Sequence, residues 1–229
     1  MSDISSFSDW WIRSLAVSTD GNTLATVAAP GEGTLRLWNL STAGLEPARV
    51  LGGLDWATSA IAFSRDGRFV AAGTGSGHSH PNDGQILTWD LQQVPAKLIS
   101  TVTATDRSSH RDVTALLFTN KDARMVSADE AGFIRTWTLA KTGEPKAERQ
   151  FLAHPRGVQS LDEIGNGQLI SSGHDGSLAS WDIATGKLQR RWDFASQSAV
   201  VALAPSPEYC AVGLADGRVY ILRLPTYQK

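Results

Sequence analysis

His154, Ser171 and Asp175 carry the side chains of nucleophilic catalysis: an imidazole base, a hydroxyl nucleophile and a carboxylate that could orient the base. A second set, His78 and His80 with Asp83 close behind in GTGSGHSHPNDG (73–84), has the donors of a metal site. Each reading meets an obstacle in its surroundings. Ser171 falls inside a β-like run, and no G-x-S-x-G elbow occurs in the chain. Two histidines two apart on a long loop lack a further fixed ligand, so a solvated or partner-contacting loop fits that stretch better. GEG (31–33) and GSG (75–77) look like phosphate loops, yet neither opens a helical segment or ends in Gly-Lys-Ser/Thr.

The elements that must hold these residues are repeated. Asp175 and Ser171 belong to SSGHDGSLASWDI (171–183), in which an Asp-Gly turn joins two β-like runs. Its second half recurs as GTLRLWNL (33–40), GQILTWDL (84–91), GFIRTWTL (132–139), GSLASWDI (176–183) and GRVYILRL (217–224). Trp38, Trp89, Trp137 and Trp181 take one position of the repeat, and Leu222 takes it in the last copy. A strand-turn-strand run precedes each copy, and another short β-like run follows all but the last. Four strands per unit at a spacing of about 40–50 residues predict the blades of a propeller, stacked face to face with the Trp filling the gap between neighbours.

With these motifs the chain resembles the WD-repeat (WD40-type) β-propeller family over nearly all its length. The expected fold is all-β, with five recognisable four-stranded blades at approximately 12–52, 53–103, 104–152, 153–193 and 194–229 of one domain spanning 1–229. Residues 1–11 are a possible closing outer strand. The units form either a tight five-bladed ring or an incomplete propeller completed by a partner; the incomplete form is preferred.

The resemblance also implies another role for the catalytic-looking trio. In this family a hydrogen-bonded tetrad often braces a blade, and His154, Ser171, Asp175 and Trp181 fill its four places, so a structural reading outweighs the catalytic one. The other blades keep partial sets. The third has His110, Ser127 and Trp137, with Ala131 at the Asp position. The second has Asp83 and Trp89, with Ala71 at the Ser position. Asp216 remains in the fifth, and Trp38 alone in the first.

Composition narrows the function classes. The 229 residues carry 21 basic and 23 acidic side chains, a formal charge of −2, so nothing points to a nucleic-acid surface. Cys210 is the only cysteine, which rules out an intramolecular disulfide and a cysteine-based metal site. No apolar run approaches the ~18–20 residues of a spanning helix and no signal-like start is seen, so a cytosolic protein without membrane partners is expected. No cofactor is expected either.

The resulting expectation is a non-catalytic protein-protein interaction scaffold or sensor, a subunit or C-terminal portion of a larger assembly. Its partners are other protein chains or domains, which could complete the propeller. Trp56, His78, His80, Asp83 and Arg111 are the candidate partner-binding residues, on loops that the resemblance places on the docking face. Arg149, Arg190 and Arg191 read as a solvated basic edge. The alternative is a propeller hydrolase or lactonase with an axial metal. That chemistry needs polar ligands on several inner strands, and only SLDEI, with Asp162 and Glu163, places acids there.

Overall fold

The computed structural model describes residues 11–29, 34–54, 57–75, 83–105, 112–119, 124–165, 167–194, 200–205 and 208–224. They form nineteen strands, and no helix is present among the described residues. The first sheet holds β1 (Trp11–Val17), β2 (Thr23–Ala29), β3 (Leu35–Ser41) and β4 (Gly44–Leu51). The second holds β5 (Thr58–Phe63), β6 (Phe69–Thr74), β7 (Gln85–Asp90) and β8 (Lys97–Thr103). In the third are β9 (Val113–Phe118), β10 (Arg124–Asp129), β11 (Phe133–Leu139) and β12 (Pro145–Leu152). The fourth comprises β13 (Val158–Gly165), β14 (Gln168–Gly173), β15 (Ser177–Asp182) and β16 (Leu188–Asp193). The fifth has three described strands, β17 (Val200–Pro205), β18 (Tyr209–Leu214) and β19 (Val219–Arg223). Every sheet is an antiparallel meander in chain order.

The registers superpose the repeat. Trp38 lies opposite Leu24, Trp89 opposite Val70, Trp137 opposite Met125, Trp181 opposite Leu169, and Leu222 opposite Cys210. In each four-stranded blade the third and fourth strands slip register at the Trp, leaving one extra residue on the outer strand: Ala48, Ile99, Glu148 or Gln189. Such a bulge raises the local twist beside the widest side chain of the sheet. The first pair of strands in each blade slips near its other end as well.

The core lies between sheets. Trp89 packs on Val27, Leu35 and Leu37 of the preceding blade, Trp137 on Ala71 and Ile86, and Trp181 on Val126 and Ile134. Leu222 occupies the corresponding place against Ile170 and Leu178. Truncating such a buried Trp to Ala typically costs about 3–5 kcal/mol.

Inner strands lie side by side in chain order, β1 against β5, β5 against β9, β9 against β13 and β13 against β17. No comparable packing joins β17 to β1 among the described residues, which therefore trace an open arc. The possible closing strand at 1–11 lies outside the described residues, apart from Trp11 at the start of β1.

Gly132 shows how closely consecutive blades are threaded. It has a φ of +95°, and a Cβ there would stand 1.8 Å from the main-chain oxygen of His154. Gly21 has a φ of +74° with nothing within 4 Å of its Cβ position. Gly21→Ala is expected to cost about 1–2 kcal/mol, the backbone term alone. Gly132→Ala must also push main chain apart and is expected to cost at least ~3 kcal/mol. Urea unfolding of the two variants checks the order; equal losses would contradict the threading.

Candidate functional site

His154 sits in a slot made by backbone. Its N–H donates to the Gly132 carbonyl at 3.1 Å, and Gly173 leaves the room for its ring: a Cβ there would lie 2.5 Å from the imidazole. His154 Nδ1 is 3.0 Å from Asp175 Oδ1 and 3.0 Å from Ser177 Oγ, and Nε2 is 2.8 Å from Ser171 Oγ. Trp181 Nε1–H donates to the same Ser171 oxygen at 2.8 Å. With Nδ1–H directed at the carboxylate, Nε2 accepts the Ser171 proton and the Ser171 lone pairs take the indole N–H. Ser177 Oγ donates to Asp175 at 2.7 Å, and Arg191 Nη2 donates to its other oxygen at 3.1 Å.

These are the contacts of a Ser-His-Asp triad, without access to a substrate. His154 and Ser171 are fully buried, and the oxygen that would attack is already occupied by imidazole and indole. What the arrangement does is tie three strands and a connection together. Burial opposes charge on Asp175, but the bonds from His154, Ser177 and Arg191 overcome it and hold the carboxyl well below the usual carboxylate range.

The other blades solve the same problem with different groups. In the first, Trp38 Nε1–H donates to Thr26 Oγ1 at 2.9 Å, so Trp38 is not alone there. Thr26 occupies the place of Ser171, which counting back from the Trp could have revealed. In the second the register puts Ala72, not Ala71, at that place, and Trp89 Nε1–H donates to the Gly52 carbonyl at 3.2 Å. In the third, Trp137 Nε1–H donates to Ser127 Oγ at 2.9 Å.

Beside Ala131, Asp129 accepts from the Phe133 N–H at 2.9 Å and from the Arg135 guanidinium, whose Nε donates to Gln150 at 3.0 Å. Burial pushes the Asp129 carboxyl up, against the pull of Arg135. Sequence spacing gave no sign of this pair. In the fifth blade Val212 and Leu222 replace the polar pair, and Asp216 accepts from Arg218 in its own turn at 2.6 and 3.0 Å.

Arginines also link blades at the rim. Arg49 donates to the Leu91 carbonyl at 2.9 Å, Arg68 to the Lys141 carbonyl at 3.3 Å and Arg149 to the Ala184 carbonyl at 2.7 Å. Arg191 bridges Asp175 and Asp193, and the Arg190 guanidinium stands over the Trp192 ring at 5.1 Å. The edge that reads as simply solvated is thus engaged.

Asp83 is buried in the turn before β7. Trp56, His78, His80, His110 and Arg111 lie outside the described residues. Among the described residues no three His, Cys, Asp or Glu side chains gather as a metal site.

The WD domain, G-beta repeat, matches two stretches of the sequence, residues 2–39 and 145–182. Five blades stand in register around them. The chain carries WD repeats and has the propeller fold. It is 28% identical over 173 residues to Protein ROOT INITIATION DEFECTIVE 3 of Arabidopsis thaliana, covering 71% of this chain and 36% of that protein. It is 24% identical over 208 residues to Protein groucho of Drosophila melanogaster, covering 89% of this chain and 27% of that one. This WD-repeat chain therefore spans about a third of the length of these relatives. Among solved structures, the RRP9 WD40 repeats superpose with a TM-score of 0.76 at 20% identity, over 94% of this chain and 61% of that one. Saccharomyces cerevisiae Sqt1 gives 0.74 at 14% identity, over 93% and 61%.

Two outcomes follow from the braces. Ser171→Ala leaves the Trp181 N–H and His154 Nε2 without Ser171, for an expected loss of about 2–4 kcal/mol, whereas Thr26→Val strands one indole N–H for about 1–3 kcal/mol. Denaturant unfolding should rank them in that order. A carboxyl whose folded pKa is depressed stabilises above its unfolded value, near 3.9, and that contribution is lost as pH falls through the folded pKa. The stability gap between the protein and Asp175→Asn should thus be full at neutral pH and shrink below about pH 4. A gap independent of pH would refute the charged brace.

Proposed function

We propose that this WD-repeat chain is a non-catalytic protein-interaction scaffold within a larger assembly, and that further β-sheet from a partner covers its two end faces. The observation that carries the reading is apolar surface at both ends of the arc. On the first blade, Leu15 lies opposite Thr26 and Val17 opposite Leu24, so both share the face of Trp38. They are 62% and 51% exposed. On the fifth, Ile221 and Val219 lie on the face away from Leu222, at 66% and 70% exposed.

Inside the arc, faces of the first kind always rest on faces of the second kind, with a Trp or Leu between them. Trp38 and Thr26 are themselves buried, so the free apolar surface of the first blade is that of Leu15 and Val17; exposed apolar side chains of this kind mark interaction surfaces or aggregation liabilities. The solved propellers that superpose on this chain continue beyond it, since it covers about 60% of each. Trp56, His78, His80, Asp83 and Arg111 remain the proposed contacts of the loop face, and the cytosol the proposed location.

The test compares the chain with a Leu15→Glu/Val17→Glu/Ile221→Glu variant, using cross-linking and mass spectrometry after capture from the native host. Cross-links from the end blades to a common partner should be lost in the variant while its thermal transition stays within a few degrees of the parent. A lone monomer that is unaffected by the substitutions would overturn the reading, as would turnover of generic esterase or phosphatase substrates by the purified chain.

A further inference from the structure

In an antiparallel meander, the turn joining the first two strands and the turn joining the last two lie at one end of the sheet. His154 and Asp175 lie at the other end. At the first end, a pocket of about 460 Å³ opens between the second and third blades. That is the size of a specific ligand site. Its floor is apolar, with Phe69, Phe118 and Leu139, and Ala140 lies at its edge. Arg65 and Lys141 are exposed on either side, one from each blade.

The walls are fixed. Arg68 is held by Asp90 at 3.0 Å and by the Lys141 carbonyl, with its guanidinium 4.6 Å over the Phe69 ring. Arg124 pairs with Glu148, the bulge residue of β12, at 2.9 Å. Asp66, the one acid among the described lining residues, is bonded to Ser64 Oγ at 2.6 Å and to the Arg68 N–H at 3.1 Å. Among the described lining residues, four cationic side chains, Arg65, Arg68, Arg124 and Lys141, stand beside a single acid, Asp66, while Asp90 and Glu148 pair with Arg68 and Arg124 from outside the lining.

The geometry points to a peptide-docking site between the second and third blades that takes an acidic segment of a protein partner bearing one apolar anchor. The anchor enters over Phe69, Phe118 and Leu139, and flanking carboxylates meet Arg65 and Lys141. Blade packing fixes the pocket before binding, so little ordering is required of it. The opposite charge at its mouth selects against basic sequences. The site uses neither the end faces nor the loops of the His154 end. It relies on the interaction reading only for the partner being a protein, so the two can fail separately.

The experiment is an array of immobilised peptides with a single Leu or Phe flanked by Asp and Glu, by Lys and Arg, or by Ser and Gly, probed with the labelled full chain. The acid-flanked peptides should retain at least about tenfold more chain than either other class, with the difference falling when salt is raised to about 0.5 M. Fluorescence anisotropy on a retained peptide should show affinity weakened by about tenfold or more in Arg65→Glu/Lys141→Glu, and likewise in Ala140→Trp, which closes the mouth. All substituted residues are exposed, and an unchanged thermal transition confirms that the variants fold. No preference for acidic peptides, or a preference untouched by either variant, overturns the site. Binding of inorganic phosphate or anionic lipid vesicles without peptide selection overturns the assignment of a protein partner.

Discussion

Every blade has two faces that must leave water, and a single sheet cannot cover either one. This constraint organises the protein. Each sheet is stable only as a neighbour, so apolar residues lie on both sides of strands such as β6 and β14, where every side chain is buried. The Trp of one blade fills the space against the last, and the bulge opposite it lets the outer strand twist away without losing the ladder. The indole N–H is a buried donor that every Trp-bearing blade satisfies.

The variety of the braces follows from that single requirement. A serine, a threonine or a main-chain carbonyl will each accept an indole proton, so the acceptor is free to change while the Trp stays. The fourth blade extends its acceptor into a chain through His154 to Asp175 and Arg191; the third builds a separate ion pair, Asp129 with Arg135. The last blade removes the donor instead, with Leu222 in the Trp place. These differences alter how stability responds to acid and leave the architecture unchanged.

Much of the fold was legible in the sequence because its signals are large and regularly spaced. The Trp places and the Asp-Gly turns at 20–21 and 66–67 mark blade after blade. The bulges were not legible: their extra residues, Ala48, Ile99, Glu148 and Gln189, share no chemistry, since the backbone makes the feature. Ala71 and Ala72 show how identical neighbours hide a register, and Thr26 was readable only by counting from Trp38. The Asp129–Arg135 pair joins residues six apart across a turn, a spacing with no template. Of the candidate site, the fourth-blade quartet was visible as residue types, whereas the pocket between blades two and three draws on three separate turns that only folding assembles.

The rim arginines reach for main-chain oxygens, and the residues that offer those oxygens, Leu91, Lys141 and Ala184, are unrelated as side chains. A link of this kind places a demand on the donor and almost none on the recipient's sequence. Any unit with a comparable turn in that spot can be received, whatever amino acids compose it. Modules can therefore drift, or be duplicated and exchanged, while the joints between them survive, and this gives a physical basis for sheets so unlike one another to remain stacked in a single chain.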